Sequence, residues 1–196
     1  PDQDEAMTLL VDVGTNAEIV LGNRQRLLAA SSPTGPAFEG AQISCGQRAA
    51  TGAIERVRID RDTLEPRFRI IGCDLWSDDP GFDAAVRGLS GRGAATAGAI
   101  TGVCGSGIIE LLAELFLAGV IDQDGVIRGE LAERSERIRA DGRTWSYQLY
   151  ADEHRRLTLT QNDVRAIQLA KAALYAGIQL LLQHMGVDRV DRIGLA

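Results

Sequence analysis

The pentapeptide Asp12-Val13-Gly14-Thr15-Asn16 separates two short apolar runs, Thr8-Leu9-Leu10-Val11 and Glu18-Ile19-Val20-Leu21. Runs this short, bounded by a glycine turn, read as buried strands rather than helices, so the chain opens strand–turn–strand. Gly22-Asn23 and a further apolar run, Arg26-Leu27-Leu28-Ala29, extend this into a hairpin. Residues 53–59 and 68–71 read as a second strand pair around the polar turn 60–65. Residues 74–106 read as loop, with an acidic Asp78-Asp79-Pro80-Gly81 turn and a Gly/Ala-rich run from Gly88 to Gly107.

The rest of the chain carries two helical patterns, with an irregular Arg-rich region between them. One starts after Gly105-Ser106-Gly107, with Ile108, Leu111, Leu112, Leu115 and Phe116 as its apolar face, Glu110 and Glu114 opposite, and Gly119 as its stop. The other starts with Thr160 as N-cap and Asp163 in the first turn. Its stripe is Val164, Ile167, Lys171, Leu174, Ile178, Leu181 and Met185, and Gly186 closes it. Alternating strand pairs and helices predict an α/β fold, with a mixed sheet of antiparallel hairpins flanked by helices.

Composition removes several classes. A chain with 45% hydrophobic residues is no disordered segment. No stretch reaches the roughly 20 apolar residues of a membrane span. The start, Pro1-Asp2-Gln3-Asp4-Glu5, is acidic where a secretory leader is basic. With net charge -6 and Lys171 as its one lysine, the chain is not built to bind nucleic-acid backbone. Cys45, Cys73 and Cys104 are odd in number and form no C-x-x-C pair, so a disulfide framework, a four-thiolate zinc site and a complete iron–sulfur cluster are not expected within these residues. The expectation is a reduced, cytoplasmic protein.

Two motifs could carry chemistry. In Asp12-Val13-Gly14-Thr15-Asn16 a strand end presents a carboxylate, a glycine turn, a hydroxyl and an amide. Glycine and Thr15 suit phosphate oxygens, and a carboxylate beside them makes sense if it holds Mg²⁺, directly or through water. The alternative is a turn whose Asp and Asn satisfy local backbone donors. In Gly102-Val103-Cys104-Gly105-Ser106-Gly107 a glycine-rich loop opens a helix, which gathers free N–H groups at the positive end of the dipole. It lacks the Gly-Lys-Ser/Thr of a Walker A loop, and a flexible helix entry is the more common explanation of such a pattern. The Pro/Gly segment from Ser31 to Ala41 is a rigid loop of undecided role. His154 and His184 have no partner at the spacing of a hydrolytic triad. Lys171, on an apolar stripe, must snorkel, meet a carboxylate such as Asp12 or Glu18, or reach a nucleotide.

Together these segments resemble a known family. Leu10 to Gly22 looks like the second phosphate motif of the actin-like ATPase superfamily, and more narrowly like that of the reductive activators of corrinoid proteins. In that family a Gly-Pro-Ala-Phe-Glu-Gly-Ala segment follows, here Gly35 to Ala41, then Gly-Ala-Ile, here Gly52 to Ile54. A Gly-x-Cys-Gly-Ser-Gly helix start comes next, here Gly102 to Gly107, and a helix resembling Leu159 to Val164 with Gln168-Leu169-Ala170-Lys171. The order matches over nearly the whole chain.

The resemblance implies that residues 1–196 are the second RNase H-like lobe of an actin-like ATPase domain, a fragment of a longer protein. It implies ATP-dependent reduction of a Co(II) corrinoid to Co(I) for methyl transfer, with a corrinoid protein or corrinoid-dependent methyltransferase as partner and homodimerisation left open. Asp12 would be catalytic and would hold Mg²⁺ through water. Gly14, Thr15, Asn16, Gly102, Gly105, Ser106, Gly107, Gln168 and Lys171 would contact nucleotide. ATP and Mg belong to the intact protein and a [2Fe–2S] centre to an N-terminal domain outside the chain; the 196 residues alone are expected to hold no cofactor tightly and to be inactive. The 73–101 connection has no counterpart in the resemblance. A small-molecule kinase of the superfamily and a non-enzymatic actin-like module are the competing readings.

Overall fold

The computed structural model describes residues 5–89, 100–153 and 155–196. His154 and half of the Gly/Ala-rich run, residues 90–99, lie outside these. In chain order the first elements are β1 (Thr8–Val13), β2 (Ala17–Gly22), β3 (Leu27–Ser32), β4 (Ala53–Ile59), β5 (Pro66–Ile70), α1 (Phe82–Leu89) and β6 (Gly102–Val103). There follow α2 (Gly105–Leu117), a short 3-10 helix (Gly129–Glu133), β7 (Ile138–Asp141), β8 (Thr144–Ala151), β9 (Arg156–Thr160), α3 (Gln161–Met185) and β10 (Arg192–Leu195). The chain divides into two compact units, residues 1–38 with 167–196, and residues 39–166.

The first unit is a four-stranded sheet in the order β10-β1-β2-β3, parallel between β10 and β1 and antiparallel elsewhere. Strand alternation sends Leu9, Val11, Ile19 and Leu21 to one face, where they form a core with Leu181 of α3. Each such side chain contributes about 1.5–3 kcal/mol on burial. The other face of β1 carries Leu10, 36% exposed, and the exposed Asp12. So β1 is covered on one side, not buried on both as a continuous apolar run suggests. That one-sidedness is what leaves the Asp12 carboxylate in solvent.

The second unit holds a mixed sheet, β5-β4-β6, and an antiparallel sheet, β7-β8-β9. The second sheet and α1 correct the sequence reading, which had an irregular Arg-rich region and a loop there. In β8 Ser146, Tyr147, Gln148 and Leu149 are all buried, so no alternation marks the strand. The α1 helix is short and buries only Phe82 and Val86.

Helix α2 packs along β4. Ile108, Leu111 and Leu115 are fully buried, but Phe116 is 50% exposed, contrary to the expected apolar face. The helix stops at once after it: Gly119 takes φ +74°, and Val120 N–H reaches the Leu115 carbonyl at 2.8 Å. The last turn therefore runs past the core.

Glu110 and Glu114 are likewise not on a solvent face. Strand β6 pairs with β4 only at Ala53 and Ile54, and the carboxylates of α2 take over beyond that point. Glu110 accepts from the Val57 N–H at 2.7 Å, and Glu114 from the Ile59 N–H at 3.2 Å. Glu110 also accepts from the Arg56 guanidinium at 3.1 Å and from Arg58. Burial pushes the Glu110 carboxyl pKa up, but hydrogen bonds from Arg58, Arg56 and the Val57 N–H outweigh it and hold the value below 4.5. A depressed folded pKa adds stability above the unfolded value and loses it as pH falls through the folded one. Glu110→Gln is expected to cost about 2 kcal/mol at neutral pH, the scale of a hydrogen bond to a charged group. Chemical denaturation should show the gap to the parent protein closing as pH drops below 4.5.

The start of α3 is as the sequence predicts. Thr160 Oγ1 and N–H both donate to Asp163 Oδ2, at 2.8 and 2.7 Å, and Asp163 N–H returns a bond to Thr160 Oγ1 at 3.2 Å. What the sequence does not reveal is the other oxygen. Asp163 Oδ1 accepts from Ser44 N–H at 2.8 Å and Ser44 Oγ at 3.0 Å, so a side chain only 2% exposed pins the 39–46 loop to the helix start.

Candidate functional site

In the first unit, the turn between β1 and β2 places Asp12, Thr15 and Asn16 in solvent, with Gly14 half-buried. The antiparallel register sets Asp12 directly opposite Glu18, so two carboxylates stand side by side on the exposed face. Glu18 accepts from Ser31 Oγ at 3.1 Å, whereas Asp12 has no hydrogen-bond or ion-pair partner among the described residues. Among the described residues, then, Asp12 satisfies no local backbone donor. The Gly14 N–H is committed to the Asn16 carbonyl at 2.9 Å, so the turn's shape, rather than that N–H, is what Gly14 provides. Thr34 Oγ1 lies 3.3 Å from the carbonyls of both Gly14 and Thr15 and braces the turn from the Pro/Gly loop. Sequence reading found the loop but not this contact, which spans 20 residues.

Exposed carboxylate oxygens beside a hydroxyl and an amide are hard oxygen donors of the kind Mg²⁺ takes. Asp12 is the residue that would hold it, with Glu18 within one strand spacing.

In the same unit Lys171 is exposed and makes no ion pair among the described residues, so it meets neither Asp12 nor Glu18. The buried stripe of α3 takes Ala170 instead, 2% exposed, where the sequence reading put Lys171. Gln168, one turn earlier, is half-buried.

In the second unit, Cys104 is the N-cap of α2, and its side chain makes no capping hydrogen bond. The first N–H groups of the helix have no intrahelical partner. Ser106 is exposed and Gly105 half-buried, while Gly102 and Gly107 are buried. Gly107 lies against Ile54 of β4, so its lack of a side chain is required by packing. Cys104 is 2% exposed, with its Sγ 3.3 Å from the Ile54 carbonyl and 3.3 Å from Ser106 Oγ. Cys45 and Cys73 are also buried free thiols, and burial together with the nearby Asp163 charge pushes the Cys45 pKa up to about 12. His184 is exposed near the end of α3.

Residues 6–196 match the family model described as the C-terminal domain of RACo, the ASKHA domain. The chain belongs to the RACo C-terminal ASKHA-domain family. Its fold is accordingly actin-like. Within the wider set, it is 33% identical over 198 residues to the corrinoid activation enzyme RamQ of Eubacterium limosum, covering 96% of this chain and 29% of that protein. A shorter stretch of 47 residues is 49% identical to the [Co(II) methylated amine-specific corrinoid protein] reductase of Methanosarcina barkeri, covering 24% of this chain and 9% of that protein. Among solved structures, a reductive activator for corrinoid, iron–sulfur protein superposes with a TM-score of 0.76 at 31% identity, over 98% of this chain and 27% of that one. The ASKHA-domain chain thus spans under a third of the length of these relatives. Among the described residues no helix is long and apolar enough to cross a membrane.

Proposed function

We propose that the intact protein is an ATP-driven reductive activator of a corrinoid protein. It would hydrolyse Mg-ATP and deliver one electron to a partner's Co(II) corrinoid, giving Co(I) competent for methyl transfer. The supporting observation is the 33% identity to a corrinoid activation enzyme, sustained across 96% of the chain rather than confined to one motif. Residues 1–196 are, in this reading, the second RNase H-like lobe of the ATPase domain. Asp12 positions Mg²⁺, which would neutralise charge on the phosphate oxygens. Thr15 and Asn16 donate to phosphate from the turn that Gly14 shapes. The start of α2 at Gly105, Ser106 and Gly107, with Gly102 of β6 just before it, would offer backbone N–H groups to nucleotide, and Gln168 and Lys171 of α3 would offer side chains.

Reduction of Co(II) to Co(I) is uphill for ordinary cellular reductants. ATP must therefore bias the complex towards a reducible state, and it can do so only by binding that state better than the other. The electron would come from a [2Fe–2S] centre in another part of the protein, since the cysteines here are separate and buried. A cytoplasmic location suits that chemistry, and a homodimer is the assembly we would look for first.

The test is to mix the intact, chemically reduced protein with a Co(II) corrinoid protein and follow the cobalt absorption. The spectrum should shift to Co(I) with Mg-ATP and stay unchanged with Mg-ADP. ATP-dependent phosphorylation of a small metabolite with no cobalt change would replace this reading with that of a kinase.

A further inference from the structure

The hairpin β4–β5 presents arginine at every outward position of its paired stretch. Arg56 stands opposite Arg69 and Arg58 opposite Arg67, while Val57, Ile59, Phe68 and Ile70 face the core. Like charges placed directly across strands are unfavourable, and the chain as a whole carries net charge -6. Four guanidiniums on one face thus run against both local and global charge.

The two halves of this face are neutralised unequally. Arg56 and Arg58 are held by Glu110 and Glu114, whose side chains are each only 20% exposed. Among the described residues, the carboxylates paired with Arg67 and Arg69 are Asp78 at 3.8 Å and Asp74 at 3.0 Å, with side chains 57% and 103% exposed. Ion pairs that open to water contribute little. Arg69 is further under-satisfied, because its Nε is buried with no acceptor among the described residues. Trp76 folds back over the same face, with the Arg67 guanidinium 4.9 Å and the Arg58 guanidinium 5.9 Å from its ring centre.

We infer that the Arg67–Arg69–Trp76 face is a docking surface for an acidic segment of a partner protein. Partner carboxylates would take the guanidinium forks of Arg67 and Arg69 in place of Asp74 and Asp78, which return to water. Trp76 would supply the apolar anchor; tryptophan and arginine are the residues that most often dominate binding energy at protein interfaces. The inference is independent of ATP turnover and stands or falls separately from the activator reading.

The probe is a fluorescein-labelled hexaglutamate peptide titrated with the intact protein at low salt, read by anisotropy. Saturable binding is expected, weakened about tenfold or more by Arg67→Gln/Arg69→Gln and by the charge reversal Arg67→Glu/Arg69→Glu, and several-fold by Trp76→Ala. Arg143→Glu/Arg156→Glu, which reverses two exposed charges, one in the β7–β8 turn and one on β9, should leave affinity within about twofold. The neutral glutamine pair keeps the test decisive if charge reversal disturbs folding, checked by the thermal melt. The proposal is overturned by absence of peptide binding, by unchanged affinity in the glutamine pair, or by oligouridine or inorganic phosphate competing as well as free hexaglutamate. The last result would make the face a general polyanion site.

Discussion

Asp12→Ala should reduce Mg-ATP turnover of the intact protein by about a hundredfold or more, the scale on which loss of a charge-positioning group acts, while leaving the melting temperature nearly unchanged. The two halves of this expectation have separate physical grounds. Asp12 is exposed and partnerless among the described residues, and it ends a strand whose core contacts come from Leu9 and Val11. Removing its carboxylate breaks no hydrogen bond and relieves repulsion from Glu18 across the strand pair. A variant of near-parental stability and much reduced turnover is therefore expected. Asp12→Asn keeps the shape and one oxygen but loses the charge, so it should retain nucleotide affinity better than turnover. Full ATPase activity in Asp12→Ala would remove Asp12 from the Mg²⁺ role. A large loss of stability would mean that the turn, and not the metal, needs the carboxylate.

How much of this was legible in the sequence depended on whether each signal was local. The hairpin of β2 and β3 follows from Gly22-Asn23, and the β4–β5 pair from the polar turn between them. The α3 start could be read because Thr160 and Asp163 bond to each other. Contacts between distant segments could not be read: Ser44 on Asp163, Thr34 on the Asp12 turn, and Glu110 and Glu114 on the open edge of β4. That edge exists only because β6 stops pairing after Ile54, which no periodicity announces. Lys171 shows the limit of helical spacing itself. Steps of three and four from Ile167 allow either Ala170 or Lys171, and the structure buries the alanine. The exposed lysine is thereby freed of the burial cost that first drew attention to it. In the glycine-rich loop the types were noticed, but their reasons differ by position: Ser106 faces solvent, whereas Gly107 faces β4.

Gly107 gives the sharpest stability expectation for that loop. Were the residue a glycine only to keep a helix entry flexible, alanine would improve it, since alanine is favoured over glycine in helices by about 1 kcal/mol. The geometry requires the opposite sign. A Cβ on Gly107 would sit 2.4 Å from the Ile54 carbonyl oxygen and 2.8 Å from Val103 Cγ1. The first of these is backbone of the central strand β4, which is bonded to β5 and β6 and cannot yield as a side chain can. Gly107→Ala must then push α2 away from β4 and open the layer where Ile108, Leu111 and Leu115 are buried. Overpacking of this kind costs about 1–3 kcal/mol, and partial loss of three buried contacts adds to it, so a deficit of roughly 3 kcal/mol or more is expected. Gly88 in α1 is the internal control: a Cβ there meets nothing within 4 Å among the described residues, so Gly88→Ala should be neutral or stabilising by up to about 1 kcal/mol. Denaturant melts of the two variants should move in opposite directions. If Gly107→Ala instead matches Gly88→Ala, α2 does not pack on β4 at this distance, and the helix start lacks the rigid backing of that strand.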